Sequence, residues 1–537
     1  MTWMRNLLFF GLVGGGLCTV GFSLWPRSAT KALAAYDAPA YRQPEFQAAV
    51  DRVNASFRVE WAAAHLKPAE PASDLLVARR LALGLMGTVP SLEEIRQLEA
   101  LPPSDRLAWW VDHVLEDPRF NGYFAERLAR ACVGTEGGPF IFFRRHRLVT
   151  WLEDAVARNR PYDEIVRELI ASEGLWTDQP ATNFVSVTSQ QDKQNQPDPV
   201  RLAGRVTRAF LGLRLDCAQC HNHPFAAWTK GDFEGLSAFF GQTFVGFKGI
   251  YDGSGEYEVE DRKTQIKKTV APRVPFAGEL LAQDGTRRQR LAGWVTHPQN
   301  PFFARAAVNR VWALVCGKPL VQPVDNLETD GPVPAALQIL ADDFVAHGYD
   351  LRRLIRVIAF SEVFRLDSAA ADGVDGDEAE KSWALFPLTR LRPEQVAGSV
   401  AQAASVSTLT VDSHIVFRLI RYGEQNEFVT RYGDSGEDEF DNHVGTIPQR
   451  LLMMNGKLVH DRVVEGPFNA STRIAIIAPD DPRAVEVAYL TVLSRRPTPN
   501  EEAHFEASLA EMKLSRPQRL EDLFWALINS TEFSWNH

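Results

Sequence analysis

Cys217 and Cys220 stand three positions apart, and His221 follows directly. Two thiols at this spacing can each add to one vinyl group of a porphyrin, and the adjoining imidazole can take the iron from the proximal side. The run Cys217-Ala218-Gln219-Cys220-His221 therefore has the spacing of a covalent haem c site. Two other chemistries fit the same residues. Cys217, Cys220 and His221 or His223 have the donor types of a zinc or iron site, given a fourth ligand from elsewhere. A Cys217–Cys220 disulfide, or a plain thiol pair, would instead stiffen a turn and leave both histidines as hydrogen-bonding residues. Pro224 restricts His223 to extended backbone, while Phe225 and Trp228 would either wall a haem face or plug the core beside the motif.

With iron on His221, the opposite axial position needs its own ligand. No methionine occurs between Gly87 and Leu452, so Met453 or Met454 would have to arrive from far along the chain. The competing role for that pair is core packing, which an unbranched thioether suits. His223 is too near His221 to reach the other face and is expected as a hydrogen-bonding neighbour or alternative ligand. His146, His297, His414 and His443 are further distal candidates. A five-coordinate iron would suit peroxide or gas chemistry better than electron transfer.

The elements expected to hold this motif are mostly helices. Phe46, Val50, Val53, Phe57 and Trp61 recur at helical spacing, and residues 75–86 form an apolar helix. Ser91-Leu92-Glu93-Glu94 is a capping box that opens a helix to about Leu98. Pro102-Pro103 breaks it, and Ser104 is the expected cap of the next helix. Further helices are expected over 123–132, 148–157, 162–171 and 200–213, the last leading straight into the motif, with a short one at 232–240. Residues 246–275 alternate charged and apolar side chains, as in Glu256-Tyr257-Glu258-Val259-Glu260, which predicts a small β-hairpin or sheet. Helices resume at 291–295, 302–316, 335–347 and 351–364, and again near 446–458, 481–495, 501–512 and 520–528. Residues 369–380 and 433–441 read as acidic loops. In the helix at 302–316, Arg310 is a candidate buried partner for Asp325.

Arg5, the uncharged run 6–25, Pro26 and the Ala32-Leu33-Ala34 triplet have the order of an export signal. The run is also near the roughly 20 residues that span a bilayer. Two outcomes stay open: cleavage after residue 34, or an uncleaved anchor formed by residues 6–25, which is the one route to a membrane. Either places the bulk of the chain outside the cytoplasm, in the periplasm or envelope. Five cysteines in 537 residues are too few for a disulfide framework. Cys132 and Cys316 lie in apolar helical patterns and are expected as buried thiols, with a mutual disulfide as the alternative. The formal charge is −10, and loss of residues 1–34 removes Arg5, Arg27 and Lys31 and no acid. Such an acidic chain is a poor nucleic-acid binder. No G-x-S-x-G, H-E-x-x-H, P-loop or Rossmann pattern occurs, so hydrolase and nucleotide-binding readings have no motif behind them. Whether the chain is an enzyme stays open.

CAQCHNHPFAAW followed by DFEGLSAFF, together with ARRLALGLMGTVPSLEEI, PYDEIVREL and DPVRLAGRVTRAFLGLRLDCAQC, resembles the planctomycete cytochrome-c-like domain of unknown function. WVTHPQNPFFARAAVNRVWALVCGKPLVQPVDNL, HGYDLRRLIRVIAFSEVFRL and IPQRLLMMNGKLV resemble the planctomycete-specific domain that usually follows it. The resemblance covers roughly residues 45–245 and 285–510. It implies an exported protein named for its haem-like signature, with molecular activity largely uncharacterised.

The chain is thus expected to be mainly α: two helical domains joined by a small β-rich insertion, after an N-terminal signal or anchor. The expected divisions are 1–34 for the signal, 40–245 for the domain with the motif, 246–285 for the insertion, 286–515 for the second domain and 516–537 for a terminal helix and tail. The expected function is that of an exported c-type haem protein in electron transfer or redox chemistry, with a redox or envelope protein as partner. The alternative is a non-catalytic extracytoplasmic binding or scaffold protein whose motif holds zinc, a disulfide or nothing.

Overall fold

Local signals set many of the element boundaries. The Leu76 amide donates to Ser73 Oγ (3.3 Å), so Ser73 caps the helix Asp74–Met86, and Gly87 ends it at φ 66°, a left-handed conformation that favours glycine. The capping box at Ser91 forms as expected: Glu94 N donates to Ser91 Oγ (3.1 Å) and Ser91 N to Glu94 Oε2 (2.8 Å), opening Leu92–Glu99. Ser104 does not cap the next helix. That helix is Pro103–Glu116, with Pro103 in its first turn, where the missing N–H costs nothing and φ is already set.

The computed structural model describes residues 36, 38–135, 143–189, 196–222, 226–260, 266–327, 331–370, 375–409, 447–466, 469–511 and 514–537. The expected export segment, His223, Phe225, His414, His443 and the acidic stretch 433–441 lie outside them. Among the described residues no helix is long and apolar enough to cross a membrane.

The protein is mainly α, with three two-stranded antiparallel sheets among the described residues. The expected β-rich insertion is two hairpins. Thr243–Gly246 pairs with Gly249–Asp252, and Tyr257–Glu260 pairs with Lys267–Val270. In the second hairpin, Lys267 sits opposite Glu260, and its Nζ lies 3.6 Å from Glu258. The expected loop at 369–380 is partly helical instead: Asp375 caps Gly376–Lys381 by accepting from the Asp377 and Glu378 amides. A side chain that satisfies amide donors in the first turn outweighs the small-residue composition.

One apolar cluster takes in residues from Tyr41 to Phe386, on both sides of the hairpins. Trp109, Trp110, Trp294 and Trp312 are its largest fully buried side chains. A second cluster is built from Ala397 to Phe533 and from Leu92 and Ile95. The helix Leu92–Glu99 thus serves both cores, since its Leu98 belongs to the first. Cys132 and Cys316 are buried and are not joined in a disulfide. Burial pushes the Cys316 thiol well above its usual value, which keeps it protonated and inert.

Candidate functional site

The motif leaves a helix that changes pitch. Pro199–Val206 is α-helical, with Asp198 accepting from the Val200 and Arg201 amides, and then Thr207–Leu211 widens to a π turn. Gly212 closes it at φ 61°. A Cβ there would lie 3.1 Å from Leu327 Cγ, and Leu327 N donates to Gly212 O at 2.7 Å. The chain therefore turns against the segment that follows the helix Phe303–Cys316, and only glycine is easily accommodated there. The expected single helix over 200–213 is in this way interrupted, as π turns beside functional segments often do.

Leu215–Ala218 is a short 3-10 turn. Leu215 and Ala218 are fully buried and anchor it, while Cys217, Gln219, Cys220, His221 and Asn222 are exposed. A 3-10 turn stacks positions i and i+3, so Leu215 and Ala218 share the face that goes to the core, while Cys217, and Cys220 just past the turn, stay exposed. Both cysteines are free thiols, with no bond between them. His221 Nδ1 and Asn222 O are 2.6 Å apart, and only the ring can donate. That hydrogen bond puts the neutral imidazole's proton on Nδ1 and leaves the lone pair on Nε2, the arrangement of a metal-ligating histidine. Asn222 Oδ1 accepts from Lys230 N (3.1 Å), tying the end of the motif to the helix Lys230–Ser237.

Around the turn lies an ionic network that the sequence did not reveal. Arg208 donates to Asp216 through Nε (3.0 Å) and Nη2 (2.7 Å), and its Nη1 reaches Asp325 Oδ2 at 3.3 Å. Arg214 grips the same Asp325 through Nε (3.0 Å) and Nη2 (2.7 Å). Burial works against the Arg208 charge, but Asp216 and Asp325 outweigh it and raise its pKa. The expected Arg310–Asp325 pair is not what forms: Asp325 is taken by Arg208 and Arg214, and Arg310 donates to Ala209 O. The usable signal is two arginines inside the apolar run TRAFLGLRLDC, both ahead of the acid that directly precedes the motif. Because Asp325 holds two guanidinium groups at once, Asp325→Asn is expected to cost about 1–2 kcal/mol. Urea unfolding of the variant measures this, and an unchanged midpoint refutes it.

The remaining expected residues are more scattered. Trp228 is half-buried and packs on Phe276 (ring centroids 6.0 Å), which in turn meets Trp294 (4.7 Å) and Phe302 (5.0 Å). Met453 is buried in the second apolar cluster, whereas Leu215 and Ala218 belong to the first. Met454 is partly exposed, and its carbonyl accepts from Trp525 Nε1 (3.1 Å). His146 is exposed, and His297 Nδ1 accepts from Gln299 N (3.2 Å).

A second group of ligand-type residues is Glu94, His113 and Asp117, whose donor atoms lie within 4.8 Å of one another. A cation is already there. Arg119 donates to Glu94, and to Asp117 through Nη2 (2.8 Å) and Nε (3.0 Å). Burial raises the Glu94 carboxyl, but Arg119 and His113 more than offset it and hold it at about 2. The capping-box pattern accounts for Glu94 as a helix cap alone.

These features define a mainly α protein that presents a C-x-x-C-H turn at its surface, braced by charged groups from both sides of a β-rich insertion. Residues 52–244 match the family PSCyt2, a protein of unknown function (DUF1549), and residues 287–438 match PSD1, a protein of unknown function (DUF1553), so the two domains follow in that order. No curated protein and no solved structure matches the chain.

Proposed function

We propose that this is an exported protein carrying one covalently attached haem c, with a redox or electron-transfer role. Cys217 and Cys220 would form the thioether links and His221 would be the axial ligand. The observation that carries the reading is the exposed segment itself: two unbonded, exposed thiols three positions apart, followed by an imidazole whose Nδ1 donates to Asn222 O. This donor set fits haem c, because both thiols are open to reaction and Nε2 is the nitrogen left to bind iron. Bound there, haem would supply a one-electron iron couple. The chain's own residues do the rest. Leu215 and Ala218 fix the turn from inside, Asn222 sets the imidazole tautomer, and Asp216 and Asp325 hold Arg208 and Arg214 beside it. Met453 is already packed in its own core, so the reading does not use it or Met454 as a ligand.

The test is purification from a host with haem-maturation machinery. The expected protein shows a Soret band and a pyridine haemochrome, with an intact mass greater by one haem. Cys217→Ser/Cys220→Ser is expected to lose the covalent haem completely, since no thioether remains. A colourless native protein of unmodified mass overturns the proposal. The same mass spectrum separates the alternatives: a disulfide lowers the mass by two hydrogens, and zinc departs on denaturation.

A further inference from the structure

A cavity of about 570 Å³ lies where the helix Leu92–Glu99 meets the helix Ala470–Ile477 and the start of Asp481–Leu493. That volume is within the range of small-molecule sites. Leu92, Ile474 and Val487 give it an apolar lining, and Ile477, which is 69% exposed, extends the apolar wall. Three arginines line the same cavity: Arg96, Arg473 and Arg483.

The charges there are out of balance. Arg483 pairs with Glu486, but that carboxylate is shared with Arg496 (3.0 Å). Glu93, the acid lining the cavity, accepts from Thr408 N (3.4 Å) and Thr408 Oγ1 (3.2 Å). Among the described residues neither Arg96 nor Arg473 has a carboxylate within 4.0 Å, although most arginines of this chain are in ion pairs. Two uncompensated guanidinium groups beside an aliphatic wall suit one class of ligand, an anion with an apolar body. A planar carboxylate matches the guanidinium fork, and a chain of methylenes matches Leu92, Ile474 and Ile477.

We propose that this cavity binds a small amphiphilic carboxylate, its head held by Arg96 and Arg473 and its aliphatic tail against Leu92, Ile474 and Ile477. The site is separate from the Cys217–His221 turn and does not depend on haem. It opens on the second apolar core, to which Leu92, Ile474 and Val487 belong, and one of its walls is a helix whose Leu98 packs in the first.

Calorimetric titration of the full chain with sodium decanoate, below the concentration at which it forms micelles, tests the proposal. One saturable site is expected. Arg96→Gln/Arg473→Gln should weaken binding by about tenfold or more, the loss expected for charge-assisted hydrogen bonds. Ile477→Asp should weaken it comparably from the other end of the ligand, and because Ile477 is exposed the fold should tolerate this change. Urea midpoints of both variants confirm that they are folded. Absence of saturable binding by the native chain overturns the proposal, and so does native-like affinity in either folded variant.

Discussion

Arg119→Leu is expected to lower the stability of the folded chain by about 3–5 kcal/mol, the range for removing one partner of a buried ion pair. Arg119 is about as buried as the carboxylates it holds, with side chains of Arg119, Glu94 and Asp117 exposed by 3%, 2% and 9%. Without the guanidinium, two negative charges remain in the interior, held only by the Ser91 and Arg119 amides (2.8 Å to Glu94 and 2.7 Å to Asp117) and by the His113 ring (Nε2 to Glu94 Oε1, 3.1 Å). His113 stacks on Trp109 (4.9 Å) and Trp110 (5.3 Å), so the damaged region contributes to the tryptophan fluorescence that follows urea unfolding. Glu94→Gln combined with Arg119→Leu should lose less than the two single changes together, with a coupling of about 0.5–3 kcal/mol. An unchanged midpoint for Arg119→Leu would show the cluster to be incidental.

The same cluster gives an acid dependence with a definite sign. Glu94 is held at about 2, below the roughly 4.3 of an unfolded glutamate. A depressed carboxylate stabilises the fold above its unfolded pKa and loses that contribution as pH falls through its folded pKa. The contribution is therefore complete above about pH 4.5 and disappears towards pH 2, amounting to roughly 3 kcal/mol in all. The Glu94→Gln chain should show a shallower decline over that window, measured by urea midpoints at successive pH values.

Arg80→Met should have a comparably large effect, about 3–5 kcal/mol, for a different reason. Arg80 is fully buried with its guanidinium 3.7 Å above the Phe386 ring, and no side-chain carboxylate forms an ion pair with it among the described residues. Main-chain oxygens surround the charge instead: those of Phe364 (2.9 Å), Leu366 (2.7 Å) and His537 (2.8 Å). Methionine keeps much of the volume and the apolar contact but leaves these acceptors unpaired. One of them belongs to His537, next to the strand Trp535–Asn536, which pairs with Thr389–Arg390. Loss of Arg80 should consequently free the amides around Leu391, whose N–H donates to Ser534 O (3.0 Å), and hydrogen exchange there should rise by orders of magnitude. Native-like protection at Leu391 would contradict this account. Arg79 supplies the neighbouring link, from Nη1 to Val492 O (3.2 Å) and from Nη2 to Phe533 O (3.3 Å).

These residues show where sequence reading reached and where it stopped. Helical periodicity located most helices, and the Ser91–Glu94 box formed as written, because both are short-range effects of backbone geometry and capping. The alternation near Tyr257 likewise predicted a hairpin. The boundary errors were also local. Pro103 and Pro118 start their helices earlier than apolar periodicity alone suggests, and Gly212 ends a π turn that no pattern announced.

By itself the sequence determined the helical class, the order of the two matching domains and the spacing of Cys217, Cys220 and His221, since each depends on residues a few positions apart. Only the tertiary structure decided that Leu215 and Ala218 bury one face of the motif and leave its thiols outside. It alone chose Arg208 and Arg214 for Asp325, put Arg119 between Glu94 and Asp117, and left Arg96 and Arg473 together at a cavity. The reason is physical: a charge can pair with any partner that folding brings within reach, and those partners lie up to hundreds of residues away, beyond the range of local pattern.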